Sequence, residues 1–463
     1  MRNLWFLVSC LALIAVSAAR EKVVYCYFGS WAVYRPGKGQ FQISNIDTSL
    51  CTHLVYTFVG LEGENVKVLD PWQDLPNDWG KDGFKRFNDL RLKSPGLKTL
   101  IAMGGWNEGS IQYSQMASKP ETRKGFAENV VKFVLKHGFN GFDLDWEYPA
   151  QRGGAPEDRK NYIELLKILR SRFDEEGLIL SAAVAAAEFS ANKSFNIPEM
   201  SKYLDFINIM AYDFHVAKDL VTGLNAPFLA SPSDTPKDKQ LTVQAAVKYW
   251  LKQGAPKEKL VLGMPLYGRS FTLENPSDNR VGAPARGPGM AGPYTREPGM
   301  LGYNEICEMH AMGGWKVVFN MEHFVPYTTM GNQWVSYDNV KSIREKATLI
   351  KDLDLAGAMI WSVEGDDFGG VCGEKYPLLK TINAVLRGGK PVPEEPTPPV
   401  KPESTTSPRP SLCTTDGPIP DPGSCGFIMC VPDDFGGFVE HAMQCAPGLC
   451  FNPAVAACDW PLN

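Results

Sequence analysis

The sequence predicts an α/β protein, a (β/α)8 TIM barrel with a small inserted α+β subdomain, followed by a small disulfide-rich β module at the C-terminus. Three observations predict it. Eight short runs rich in Val, Ile and Leu alternate with stretches of helical spacing, the interval before the eighth run is too long for one helix, and six of the eleven cysteines crowd into the tail.

Taking the chain in order, residues 1–19 place Arg2 before the apolar run Leu4 to Val16 and the small residues Ser17, Ala18 and Ala19. That is the layout of a cleavable signal peptide, and the run is shorter than the roughly 20 apolar residues of a membrane span. No other stretch is expected to cross a bilayer. From residue 20 to 387 the strand candidates are Val23–Phe28, Leu54–Phe58, Thr99–Met103, Gly141–Glu147, Leu178–Ala183, Phe206–Tyr212, Leu260–Leu266 and Gly357–Ser362. Helical spacing at Ala127–His137, Lys160–Phe173, Leu241–Lys252 and Val340–Leu353 leads each time into the next strand, as in repeated βα units. A doubly wound open sheet is the rival, but Ser30-Trp31-Ala32 after the first strand is no Gly-rich nucleotide turn. Strand-like Trp315–Phe319 and Gln333–Tyr337 place the insertion at about 270–338, where it would wall a cleft.

Residues 388–412 turn to Pro, Glu, Ser and Thr and read as an extended linker. The module 413–463 follows. Cys26, Cys51, Cys307 and Cys372 in the large module, and Cys413, Cys425, Cys430, Cys445, Cys450 and Cys458 in the small one, read as disulfide cysteines of a secreted, extracellular chain. Zinc is the rival use, but no C-x-x-C spacing occurs and His numbers only 6, so neither a metal nor another cofactor is expected. Asn192-Lys193-Ser194 is a glycosylation sequon.

A net charge of -5 argues against a nucleic-acid partner, which needs clustered Lys and Arg. A neutral substrate fits better, and a monomer is expected. On a strand, Asp143, Asp145 and Glu147 share one face. Three crowded carboxyls cannot all ionise cheaply, so one keeps its proton and can donate it. Acids alternating on a strand are also what a solvated face or a metal site looks like. The neighbouring strand ends speak for a sugar cleft: Tyr27 and Trp31 after the first, Phe58 on the second, Gly104-Gly105-Trp106 after the third, Met210-Ala211-Tyr212-Asp213 on the sixth, Tyr267-Gly268-Arg269 after the seventh and Trp361 on the eighth. Flat aromatic faces stack on sugar C–H faces, and Asp213 and Arg269 are left for hydroxyls.

The segment Gly141-Phe142-Asp143-Leu144-Asp145-Trp146-Glu147-Tyr148-Pro149 resembles the signature of glycoside hydrolase family 18 chitinases. Lys98 to Trp106, Met210 to Asp213, Tyr267 to Phe271 and Met359 to Trp361 resemble the family's other blocks, in order, across the large module. The resemblance implies an endo-acting chitinase that retains configuration by substrate assistance, the sugar's N-acetyl carbonyl being the nucleophile. By the same resemblance Glu147 is the proton donor, Asp145 orients the acetamido group, Asp143 modulates the shared proton and Tyr212 bonds the acetamido oxygen. Trp361 is the floor under the reacting ring. Tyr27, Phe58, Gly105, Tyr148, Met210, Asp213, Tyr267 and Arg269 complete the pocket, and Trp31, Trp106, Glu297 and Met300 line flanking subsites. Chitin and chito-oligosaccharides are the implied partners. The alternative is a catalytically silent chitin lectin on the same barrel, but lectin relatives lose the terminal acid that Glu147 supplies here.

Three positions depart from the family pattern: Asn140 stands for Asp, Ala102 for Ser, and Val216-Ala217-Lys218 for a segment with a leaving-side Trp. The tail resembles a peritrophin-type chitin-binding module through Asp416-Gly417, Pro420-Asp421-Pro422 and Cys458-Asp459-Trp460-Pro461. That resemblance implies pairs Cys413–Cys430 and Cys445–Cys458. Cys450 restores an even count and is expected to pair with Cys425. Phe427, Phe435, Phe438 and Trp460 serve either as core or as a sugar face.

Overall fold

The structure is a computed structural model that describes residues 21–394, 412–422, 424–432, 438–445 and 449–459. The signal-peptide reading of 1–19, most of the linker, Phe435 and Trp460-Pro461 lie outside those residues. The chain divides into two compact units, Met1–Val400 and Lys401–Asn463.

In the first unit eight parallel strands close into a barrel: β1 (Val23–Gly29), β2 (His53–Glu62), β3 (Lys98–Gly104), β4 (Gly141–Asp145), β5 (Ile179–Ala185), β6 (Phe206–Met210), β7 (Leu260–Pro265) and β8 (Gly357–Trp361). β1 pairs with both β2 and β8, which removes any free edge. A hairpin strand, Asn65–Val68, adds antiparallel to β2. Parallel strands covered on both faces read as continuous apolar runs, and β7 is buried along its whole length. Each of the eight predicted runs forms a strand; β6 ends at Met210, so Tyr212 lies just past it rather than on it, and β4 shows a like shift. It ends at Asp145, so Glu147 lies just past the strand rather than on it.

The outer helices follow from ordinary end signals. Pro120 opens Pro120–His137, and Gly138 at φ 77 closes it, with Phe126, Val130 and Val134 facing the barrel. Gly177 closes Asp158–Glu176 in the same way. Thr242 caps Val243–Lys252 by accepting from the Ala245 N–H.

Between β7 and β8 lies an antiparallel sheet of six strands with the helix Tyr303–Met312. Its order is Ala285–Pro288, Tyr267–Leu273, Gln333–Ser336, Val325–Met330, Lys316–Asn320, with Met300–Gly302 also against Tyr267–Leu273. The insertion thus begins at Tyr267, a few residues before the predicted 270. The strand carrying Tyr267 and Arg269 finds antiparallel partners in Met300–Gly302 and Gln333–Ser336 and leaves the barrel immediately. A disulfide joins Cys307 of the inserted helix to Cys372 beyond β8, and another joins Cys26 to Cys51. Behind the insertion, Lys346 is fully buried and donates to Asp338 Oδ1 at 2.6 Å and to the Ala226 carbonyl at 2.7 Å.

The second unit holds a three-stranded antiparallel sheet, Gly417–Pro420, Phe427–Pro432 and Phe438–Met443, and a two-stranded one, Cys450–Asn452 with Ala457–Asp459. Its disulfides are Cys413–Cys430, Cys425–Cys450 and Cys445–Cys458. Among its described residues, Cys413, Ile428 and Cys430 form a buried apolar cluster, with Ile419 and Phe438 packed against it. Three cross-links brace this small unit.

The buried Lys346–Asp338 pair yields a stability test. Lys346→Met strands a carboxylate in the interior and is expected to destabilise the protein by about 3 kcal/mol in chemical denaturation, whereas Lys346→Met with Asp338→Leu recovers most of that loss.

Candidate active site

β4 delivers the acidic row. Asp143 is fully buried and Asp145 and Glu147 nearly so. Asp143 is the best partnered: Oδ2 accepts from the Tyr27 hydroxyl at 2.8 Å, and Oδ1 accepts from Ser181 Oγ at 2.5 Å and Asn208 Nδ2 at 3.1 Å. Tyr25 extends the chain of hydroxyls, 2.8 Å from Ser181 Oγ. Ser181 and Asn208 were not singled out from the sequence. The signal was in the strand register, since Ala102, Asp143 and Ser181 lie side by side on β3, β4 and β5. The hydroxyl absent at Ala102 is supplied from the other neighbouring strand. Asn140 is a connector, its Oδ1 accepting from Arg91 Nη1 and the Thr99 N–H, both at 3.0 Å.

Asp145 stands in contrast, because its buried Oδ1 accepts no hydrogen bond from the protein. Burial pushes its carboxyl well above the usual range, and Glu147 and Asp143 on either side add to this. Glu147 is raised to about 7 chiefly by burial, with Asp213 pushing up and Tyr148 and Arg152 drawing it back. Asp143 is raised to about 6 by burial, held down by its hydrogen bonds from Ser181, Tyr27 and Asn208. The arrangement can hold protons at neutral pH at the mouth of a dry pocket, as a general acid requires.

Around the acids the strand ends assemble an aromatic cleft. Trp361 meets Tyr27 edge-on at 5.7 Å and Phe58 at 5.7 Å, and Trp31 stacks on Phe58 at 6.1 Å. Gly105 is required by close approach: at φ 86 any Cβ would stand 2.9 Å from the Phe58 ring. Its N–H donates to the Asp145 carbonyl at 2.9 Å, which ties β3 to the acidic segment. Trp106 is 56% exposed, and the Arg152 guanidinium covers one face of its indole at 3.6 Å. Arg152 also donates to the Glu147 carbonyl at 2.9 Å and the Trp106 carbonyl at 2.8 Å. The loop carrying the acid and the flanking indole are held by one side chain, another role the sequence did not mark.

The far wall is polar. Asp213, at φ 56, accepts from the Tyr267 hydroxyl at 2.7 Å and from Arg269 through two bonds of 2.7 and 2.8 Å. Asn225 fixes it from behind, Oδ1 accepting the Asp213 N–H at 3.0 Å. Tyr212 is buried, and its hydroxyl points to Met359 Sδ at 3.6 Å. Met210 is half-buried at the end of β6. Met300 lies opposite Arg269 in the inserted sheet, and the exposed Glu297 adds negative charge near that guanidinium. Val216-Ala217-Lys218 leads into a short turn, Ala217–Asp219, without an aromatic ring.

Among the described residues, Cys307, Asp367 and Cys372 form the one cluster of metal-ligand type. Its sulfurs are bonded to each other, and Asp367 accepts the Val371 and Cys372 N–H groups, so it offers no free donor set.

Residues 23–366 match the family model of glycosyl hydrolases family 18, and residues 413–463 match that of the chitin binding peritrophin-A domain. The chain is 43% identical to probable chitinase 2 of Drosophila melanogaster over 78% of its own length and 80% of that protein. It is 36% identical to chitotriosidase-1 of Mus musculus over 97% of its length and 98% of the relative. The Ostrinia furnacalis group IV chitinase superposes with a TM-score of 0.77 at 45% identity, covering 79% of this chain and all of that one. Human YKL-39, described as a pseudo-chitinase with retained chitooligosaccharide binding, matches with a TM-score of 0.73 at 36% identity over 79% of this chain and 99% of its own.

The raised carboxyls carry a stability signature. The folded protein holds these protons more tightly than the unfolded chain, so their contribution is full below the ordinary carboxylate range and is lost as pH rises through about 6 to 7. Glu147→Gln is therefore expected to be more stable than wild type by about 3 kcal/mol at pH 8 and equal to it near pH 4, as read from thermal unfolding.

Proposed function

This chain belongs to family 18 of the glycosyl hydrolases, and from that membership we propose that it is a secreted, endo-acting chitinase. It hydrolyses β-1,4 bonds between N-acetylglucosamine units with retention. The observation that carries this reading is the buried, unpartnered Oδ1 of Asp145, set between two further acids that help push its carboxyl up. A buried acceptor without a donor is costly, and a substrate acetamido N–H supplies the missing donor.

In this reading Glu147 protonates the glycosidic oxygen as the bond to the anomeric carbon breaks. The acetamido carbonyl oxygen of the same sugar forms the new bond to that carbon, giving an oxazolinium ion. Asp145 accepts the acetamido N–H and balances the charge, and Tyr212 donates to the acetamido oxygen. Water then attacks the anomeric carbon from the vacated side as its bond to the acetamido oxygen breaks and the acetamido group re-forms, and the water's proton passes to Glu147, giving net retention. Asp143, anchored by Tyr27, Ser181 and Asn208, tunes the proton of its neighbour. Trp361 carries the reacting ring, and Trp31 and Trp106 carry flanking rings.

The lectin alternative shares the barrel, as the pseudo-chitinase YKL-39 illustrates. What favours the enzyme is Glu147 itself, retained and raised to about 7. The C-terminal module, matched to a chitin-binding family, would hold the barrel at insoluble polymer and raise its local concentration there. Residues 1–19 and five disulfides support secretion.

Assay on a chromogenic chito-oligosaccharide is expected to show a loss of about 10³-fold in kcat for Glu147→Gln; equal activity in both proteins would overturn the assignment. Wild-type kcat/KM should fall as pH rises through about 7, where Glu147 loses its proton. Fully deacetylated chitosan should not be cleaved, and NMR of the first product should show the β anomer. Removal of residues 413–463 should lower turnover of insoluble chitin and leave that of soluble oligosaccharides unchanged.

A further inference from the structure

Trp31 is 43% exposed, Trp361 is half-buried, and their ring centres stand 6.2 Å apart at a tilt of 48°. Trp31 stands in the turn after β1 and Trp361 at the end of the neighbouring strand β8, but the pairing of the two strands runs only as far as Cys26 and Ile360 and does not fix the turn. One buried side chain does. Glu364 is fully buried, and its Oε2 accepts the Gly29 N–H at 3.2 Å, directly before the turn that carries Trp31. Its Oε1 accepts from Ser362 Oγ at 2.5 Å, directly after Trp361. Arg35, at the far end of the Trp31 turn, closes the circuit: Nη1 donates to the Glu364 carbonyl at 3.2 Å, and Nη2 stands 3.9 Å from Oε1.

Gly29 shows how closely these parts meet. A Cβ there would lie 2.6 Å from Glu364 Oε1 and 2.8 Å from the Trp31 indole. The backbone at Gly29, φ -74 and ψ 105, suits any residue. The glycine is therefore dictated by space, where carboxylate and indole converge.

We propose that Glu364 is a positioning residue that fixes Trp31 relative to Trp361 and so sets the spacing of the aromatic floor on which neighbouring sugar rings rest. The proposal rests on the chitinase reading for the ligand and adds a residue that never touches it. Stacking depends on ring placement, so an error in the relation of two platforms weakens binding of a chain that spans both, while the acids on β4 are left in place.

The full chain and its Gly29→Ala, Glu364→Ala and Glu364→Gln variants would be compared on chitopentaose and on a chromogenic chitobioside. Gly29→Ala keeps every charge and hydrogen-bonding group and only wedges a methyl between carboxylate and indole. It and Glu364→Ala are expected to raise KM for chitopentaose about tenfold, with kcat and the KM for the short substrate changed less than about threefold. Glu364→Gln keeps an acceptor for the Gly29 N–H and should stay near wild type. Unchanged KM for chitopentaose in Gly29→Ala overturns the proposal, and so does an equal fall in kcat on both substrates. Where Glu364→Ala does not fold, Gly29→Ala decides alone. Should the wild type hydrolyse neither substrate, the chitinase reading fails separately. Chitopentaose quenching of tryptophan fluorescence then decides, a tenfold weaker affinity in Gly29→Ala supporting the placement of the floor and an unchanged one overturning it.

Discussion

Three carboxyl groups occupy a pocket too dry to hold three negative charges, and the rest of the barrel is arranged around that constraint. Asp143 is stabilised by the Tyr27 hydroxyl, Ser181 and Asn208. Asp145 has no such support, with one oxygen left unpartnered. Glu147, beyond the end of β4, is raised to about 7. A gradient of support along five residues separates an anchored carboxyl from two that burial and their neighbours push up, one of them with an oxygen that accepts no hydrogen bond from the protein.

In the proposed function the aromatic cleft holds a neutral polymer without charge attraction. Flat platforms give contact area, but they work only if their mutual placement is rigid, and polar side chains tie several of the segments that carry them. Arg152 covers one face of Trp106 and binds the Glu147 carbonyl. Glu364 and Arg35 knit the turn of Trp31 to the residue after Trp361. Asn225 and Arg269 hold Asp213 in its left-handed conformation. Polar and charged side chains thus fasten the segments that carry the site.

The two units are stabilised by different means. The barrel has a closed sheet and a continuous apolar core, so its two disulfides are additions to a fold that packing already specifies. Among its described residues the C-terminal unit has a small buried apolar cluster and three disulfides, the usual bracing of a domain of this size.

Read by itself, the sequence determined the eight strands, the insertion, the acidic row and most of the aromatic positions, because alternation, apolar runs and end signals are local and survive in one dimension. The signature at 141–149 and its companion blocks determined the family for the same reason. Only the tertiary structure decided which groups answer one another across strands. Ser181 and Ala102 on either side of Asp143, Asn208 under Asp143, Arg152 against Trp106 and Glu364 between Gly29 and Ser362 are contacts between segments apart in the chain, brought together by the barrel. The end of β4 at Asp145 belongs to the same class, since a strand stops where its neighbours stop pairing with it. The acidic row was legible from the start. The uneven support that gives its three members different proton affinities comes from neighbours that no local pattern marks.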